Sequence, residues 1–221
     1  TDLLVAIRYI LKKDAKKLDV ILKVRNTAKD HRLSVNFNAD VIAEGASAGG
    51  HFCVDYRNAA ADKEENGLRY TEMDKLPMQG FVDISDGNKG FGVVSQEFIE
   101  YDASRKGILS CTLFRAVRNM ICTEFRSGSS YPSQEGGQLQ EEMEYRYGLM
   151  VHRGSWEEAG LQEESRRQRI PVLPVQFSTD YENTGFLPNE KSFFEVKGAQ
   201  ASCIKRSEEH TSELQSPMLS R

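Results

Sequence analysis

The chain has 221 residues, 39% of them hydrophobic and 28% charged, an ordinary globular composition with length for one large β domain or two small ones. A formal charge of -4 excludes a dedicated nucleic-acid surface, because the only local cluster of basic residues, Arg166-Arg167-Gln168-Arg169, follows a run of acids. No stretch approaches the ~20 apolar residues that span a bilayer. The four cysteines, Cys53, Cys111, Cys122 and Cys203, form no CxxC or Cys/His pair, so buried reduced thiols in a cytoplasmic protein are expected.

In chain order, Thr1–Ile10 reads as a strand, Lys12–Lys17 (KKDAKK) as a charged turn and Leu18–Val24 as a strand with Val20, Leu22 and Val24 facing inward. A turn at Asn26–Asp30 leads into His31–Asn38, where Leu33, Val35 and Phe37 alternate with polar residues. The short connections predict antiparallel neighbours. A small-residue bend is expected at Gly45–Gly50, then a strand over His51–Tyr56 and a polar loop from Ala59 to Asn66.

The stretch Gly80–Tyr101, GFVDISDGNKGFGVVSQEFIEY, predicts a β-hairpin turning at Asp86-Gly87 and followed at once by a third strand. Its acids, Asp83, Asp86, Glu97 and Glu100, belong on exposed faces or turns. Ile108–Val117 is the most continuous apolar run and predicts a strand buried on both faces. Ser127–Gln140 is a long Gly-, Ser- and Gln-rich loop. Glu142–His152 returns to alternation with Met143, Tyr145 and Tyr147 on one side. Ser155 then caps a helix over Trp156–Arg167, weakened by Gly160 and ended by Pro171 and Pro174. Two short strands are expected at Val172–Ser178 and Ser192–Lys197. The sum is a mainly β chain, an antiparallel β-sandwich with one short helix.

Reactive motifs are sparse. His31, His51, His152 and His210 show no metal-binding spacing, although His51 and His152 could converge with a carboxylate at long range. Gly87-Asn88-Lys89-Gly90 has the flavour of a phosphate loop, but it joins two strands with no helix N-terminus behind it. The aromatics available for stacking on a sugar are Tyr56, Tyr70, Tyr101, Tyr131 and Trp156, with Trp156 expected to pack its helix onto the sheet.

Five segments in order, VRNTAKDHRLSVNF (Val24–Phe37), GHFCVDYRN (Gly50–Asn58), Gly80–Tyr101, TLFRAVR (Thr112–Arg118) and EMEYRYGLMVHRGSWEEA (Glu142–Ala159), resemble the C-terminal β domain of glycoside hydrolase family 38, the α-mannosidases, especially its mannosylglycerate-hydrolase-like branch. The resemblance implies a large galactose-mutarotase-like supersandwich whose partner is an N-terminal catalytic barrel outside this chain. That barrel would supply an aspartate nucleophile, an acid/base carboxylate and a zinc ion acting on a mannoside or a mannosylated small molecule. It places no catalytic residue and no metal ligand in this chain, and no cofactor other than zinc in the missing domain. The candidate substrate contacts are Arg57 and Tyr131. Where the family often reads HFDV followed by Arg-Pro, this chain has His51-Phe52-Cys53-Val54 and Arg57-Asn58, which puts Arg57 in doubt as a contact and leaves an ion-paired strand-end residue as its other reading. Residues 1–205 would form the β domain, incomplete at both ends. Arg206–Ser216, RSEEHTSELQS, resembles the translation of a sequencing-adapter oligonucleotide, so 206–221 are expected to be non-native. A stand-alone carbohydrate-binding module or a purely structural sandwich are the competing expectations.

Overall fold

The computed structural model describes residues 2–59, 75–118, 134–170, 174 and 195–198. The chain divides into two compact units, Thr1–Leu173 and Pro174–Arg221. In the second, Glu195, Val196 and Lys197 form no strand, and Lys197 Nζ sits 3.1 Å from Glu195. The remainder of the expected strands at Val172–Ser178 and Ser192–Lys197, and the whole 206–221 tail, lie outside the described residues. All the elements named below belong to the first unit.

Among the described residues, eleven strands make two antiparallel sheets. They are β1 (Leu3–Leu11), β2 (Leu18–Asn26), β3 (His31–Asn38), β4 (Gly45–Gly49), β5 (Val54–Asn58), β6 (Leu76–Pro77), β7 (Gly80–Ser85), β8 (Lys89–Ser95), β9 (Glu100–Ala103), β10 (Ile108–Ala116) and β11 (Glu142–Arg153). The seven-stranded sheet runs β1-β2-β11-β8-β7-β4-β5 and the four-stranded sheet β3-β10-β9-β6. Val20, Leu22, Val24, Val82, Ile84 and Val93 of the larger sheet and Tyr101, Leu109, Cys111 and Phe114 of the smaller one are buried in one core. Ring contacts cross the layers: Phe37 of β3 lies 5.6 Å from Phe91 of β8 and 5.9 Å from Tyr147 of β11. Each such fully buried apolar side chain contributes roughly 1.5–3 kcal/mol.

The alternation expected for β2, β3 and β11 is present, and strand neighbours are antiparallel throughout. Pairing partners differ from the expectation in two places. β3 pairs not with β2 but with β10 in the other sheet, and β9 follows the β7–β8 hairpin into that same second sheet. At the β2–β3 crossing Asp30 adopts φ 53, and a buried amide network closes around it. Gln138 Nε2 donates to Asp30 Oδ1 at 2.8 Å while Gln138 Oε1 accepts from the Asp30 N–H at 2.8 Å. Asn26 Nδ2 donates to the carbonyls of Gln138 and Leu139. Gln138 stands in a 3-10 turn, Glu135–Gln138, inside the stretch expected to be loop.

The bend expected at Gly45–Gly50 is instead strand β4. Its small residues suit a strand because the Gly45 α-carbon lies against the Arg57 carbonyl and the Tyr56 ring, where a Cβ would collide. In β10 a bulge at Leu113 shifts the register with β3 between Thr112 and Phe114. The bulge changes which parity faces the core, so Leu109, Cys111, Phe114 and Ala116 are all buried, while Ile108 and Arg115 stay exposed.

The expected helix is present in two pieces, α1 (Trp156–Ala159) and α2 (Leu161–Arg169). Ser155 and Glu158 form a reciprocal capping box, with Glu158 N–H donating to Ser155 Oγ at 3.3 Å and Ser155 N–H to Glu158 Oε2 at 3.0 Å. Gly160 at φ 76 ends the first helix and opens the second. The pair lies on the outer face of the larger sheet, where Leu161 joins Phe81, Val94 and Met150 in a second small core, and Trp156 stacks 5.5 Å from Phe81. This cover is why β7 is buried on both faces.

Candidate functional site

Arg57 lies on β5, an edge of the larger sheet, and pairs across to Ala46 of β4. Its Nη2 is 3.5 Å from Asp55 Oδ2, two residues back on the same face and half exposed. Such a pair contributes about 0–1 kcal/mol. Tyr131 lies outside the described residues. Beneath the strand edge the Tyr101 hydroxyl is buried with no hydrogen-bond partner among the described residues. Burial pushes this phenol up to about 12, with the nearby charges of Arg57 and Asp55 opposing each other. Tyr101 is therefore a core residue, closed to sugar stacking, and Trp156 is held against Phe81.

The β4–β5 turn closes through a hydrogen bond from Gly50 N–H to the Cys53 carbonyl at 2.8 Å. Its tip carries Phe52, 99% exposed, with the His51 ring set edge-on at 6.1 Å. Cys53 is exposed rather than buried as expected, because it stands on this turn; Cys111 is buried and unpaired. The hydrogen bond from Cys53 to Asp55, and then the Asp55 charge, raise the Cys53 thiol. A thiol kept protonated is a poor nucleophile. Tyr56, on β5, is exposed as well.

A long-range histidine–carboxylate pair does exist, formed by His152 with Asp83 rather than with His51. His152 Nε2 lies 2.8 Å from Asp83 Oδ1, with side-chain exposures of 7% and 2%. Asp83 departs from the expectation of an exposed face because α2 covers that side of β7. Desolvation raises the Asp83 carboxyl above its usual range, against the hydrogen bond and charge of His152. Nδ1 of the same ring is 3.3 Å from the Arg153 carbonyl, which can only accept. The pair is sealed beneath the helix and ties β7 to β11 across β8, buried from any substrate.

Asp86 and Glu97 are exposed where the sequence placed them, whereas Glu100 is half-buried. Asp86 Oδ1 accepts from the N–H groups of Lys89 and Asn88 in the hairpin turn, which holds its carboxyl below the usual range. Glu100, partly desolvated, is nonetheless held low by hydrogen bonds from Thr112 and Arg115, and Arg115 Nη2 reaches its two oxygens at 2.9 and 2.8 Å.

A cleft of about 470 Å³ between the β1–β2 turn and α2 is lined by Lys12, Lys17, Asp19, Glu163, Glu164 and Arg167. Its charges neutralise one another: Lys17 lies 3.2 Å from Asp19 and 4.0 Å from Glu164, and Arg167 reaches Glu163 at 3.3 Å and Glu164 at 2.9 Å. Among the described residues no three His, Cys, Asp or Glu side chains gather so as to hold a metal. No helix among them is long and apolar enough to cross a membrane.

The described residues of the first unit form a two-sheet antiparallel β domain. Residues 4–119 match the family described as the glycosyl hydrolases family 38 C-terminal domain, and the chain belongs to that family. Among solved structures it is similar to a family 38 glycosyl hydrolase from Enterococcus faecalis, with 23% identity and a TM-score of 0.63. It is also similar to an alpha-mannosidase from Enterococcus faecalis V583, with 24% identity and a TM-score of 0.62. Each match covers 76% of this chain and 18% of the other, so the chain spans under a fifth of the proteins it resembles. No curated protein matches the sequence.

Proposed function

We propose that this chain is the β-sandwich domain of an α-mannosidase-type retaining glycoside hydrolase, packed on a catalytic barrel outside the chain and partly walling its substrate cleft. The observation that carries this reading is the family match over residues 4–119. Supporting it, the described residues hold hydrophobic cores and buried polar ties but no nucleophile–base pair open to a substrate. Zinc, in this reading, belongs to the barrel. The substrate is a mannoside or a mannosylated small molecule. The wall is supplied by the loops of the β5 edge and the Ser127–Gln140 region, with Arg57 and Tyr131 as the residues facing the sugar. The unpaired thiols Cys53 and Cys111 suit a reducing compartment, the cytoplasm.

The test is hydrolysis of an aryl α-mannoside by the 221-residue chain with added zinc, beside mannose binding by calorimetry. The chain alone is expected to give no turnover, and turnover would overturn the assignment. Millimolar or tighter sugar binding without turnover would favour the carbohydrate-binding module.

A further inference from the structure

We propose that Asp86-Gly87, at the turn of the β7–β8 hairpin, is a latent site of isoaspartate formation, held unreactive in the fold by a hydrogen-bonded clasp centred on Ser85. The inference is independent of the mannosidase reading.

Of the twelve aspartates in the chain, only Asp86 is followed by glycine. The step matters because a glycine nitrogen, with no side chain beside it, is the backbone nucleophile best able to reach the preceding side-chain carboxyl. Ring closure forms a bond between the Gly87 nitrogen and Asp86 Cγ. The nitrogen's proton and the hydroxyl of the carboxylic acid leave together as one water, and a five-membered succinimide results. One water then adds back. Opening at the main-chain carbonyl breaks the original peptide bond and leaves the backbone running through the side-chain carboxyl, an isoaspartate of unchanged mass with one more methylene in the main chain. The reacting form is the protonated acid, since an ionised carboxylate has no hydroxyl to lose.

Bulk does not guard this step. Asp86 and Gly87 are exposed, and a Cβ added at Gly87 would meet no atom within 4 Å. Hydrogen bonds guard it instead. Asp86 Oδ1 accepts from the N–H groups of Asn88 at 2.8 Å and Lys89 at 2.9 Å, which commits the carboxylate to the amides beyond Gly87 and favours its ionised form. The Gly87 N–H, whose nitrogen is the nucleophile, donates to Ser85 Oγ at 3.1 Å.

Ser85 is itself anchored. Its hydroxyl lies 2.9 Å from the Gly154 carbonyl and 3.3 Å from that of Lys89, and the Gly154 N–H donates back to the Asn88 carbonyl at 3.2 Å. The segment leading into α1 therefore holds the turn, and the Ser85 hydroxyl touches both that segment and the reacting nitrogen. Ring closure requires Asp86 to leave both amides while Gly87 leaves Ser85. The product would lengthen the turn joining Ser85 to Gly90, which are paired across the hairpin.

The test incubates the 221-residue chain at neutral pH beside the free peptide FVDISDGNKGFG, Phe81–Gly92. Isoaspartate at residue 86 is read by fragmentation of the tryptic peptide Leu76–Lys89. The free peptide is expected to convert at least about tenfold faster than the folded chain, because only the chain must open its turn first. Ser85→Ala should raise the rate in the folded chain about fivefold, the worth of one hydrogen bond. Ser85→Thr keeps the hydroxyl and should stay at the wild-type rate. Asp86→Glu, whose longer side chain would have to close a six-membered ring, should remove the signal. The Gly87 amide should also exchange with solvent more slowly in the chain than in the peptide, a measurement that stands even if S85A fails to fold. Isomerisation of the wild-type chain at the peptide's rate would overturn the proposal, as would a folded S85A no faster than wild type or a Gly87 amide exchanging equally in chain and peptide.

Discussion

Asp83 is the acid whose surroundings depart furthest from its sequence context. In GFVDIS it alternates as an outward residue should, yet α2 closes over it and leaves His152 as its polar partner at 2.8 Å. Asp83→Ala should cost roughly 1–3 kcal/mol, because the His152 Nε2 it leaves behind is buried and unpaired. Asp83→Asn, whose amide can still meet Nε2, should cost clearly less. Burial lifts the folded-state pKa of Asp83 above its value in the unfolded chain. Its protonated form thus adds stability that is complete below the ordinary 3.8 and is lost as pH rises through the lifted value. Urea unfolding of both chains across that window should show the wild type losing stability relative to D83N as pH rises; coincident curves would refute the assignment. Gln138 is the second such residue, completely buried with both ends of its amide used by Asp30. Gln138→Ala should lower stability by about 1–3 kcal/mol in the same assay, and a neutral result would mean the β2–β3 crossing is held elsewhere.

Among the elements, the helix was written plainly in the sequence, since Ser155 with Glu158 is a capping box and Gly160 is the residue that breaks it. Its effect on the sheet was not. Leu161 is fully buried against Phe81, Val94 and Met150, so Leu161→Ala should destabilise by about 2–5 kcal/mol in thermal or chemical unfolding. A cost below about 1 kcal/mol would mean that the helix is a loose cover. Alternation exposed the strands β2, β3 and β11, whose period of two survives in the burial of Val20, Leu22 and Val24 and of Tyr145 and Tyr147. It could not expose β4, where Gly-Ala-Ser-Ala-Gly has no period and is a strand because its backbone pairs with β5 and β7. Nor could it locate the bulge at Leu113, which appears only when β10 is set against β3.

At the scale of the molecule, the candidate site was the least legible part. Arg57 was readable as a residue type in a family motif, and the structure gives it an ion pair with Asp55 at a sheet edge; the partner that would make it a sugar contact is not among the described residues. Sequence order and composition alone determined that this is a β-sandwich of the family 38 C-terminal type, because strand periodicity and a series of motifs in fixed order are local properties. Only the tertiary structure decided which strands share a sheet, that β9 leaves its hairpin for the second layer, and that Asp83 and His152 meet under a helix. Each of these depends on groups far apart in the chain arriving at one place, where burial and pairing rather than local propensity set the energy.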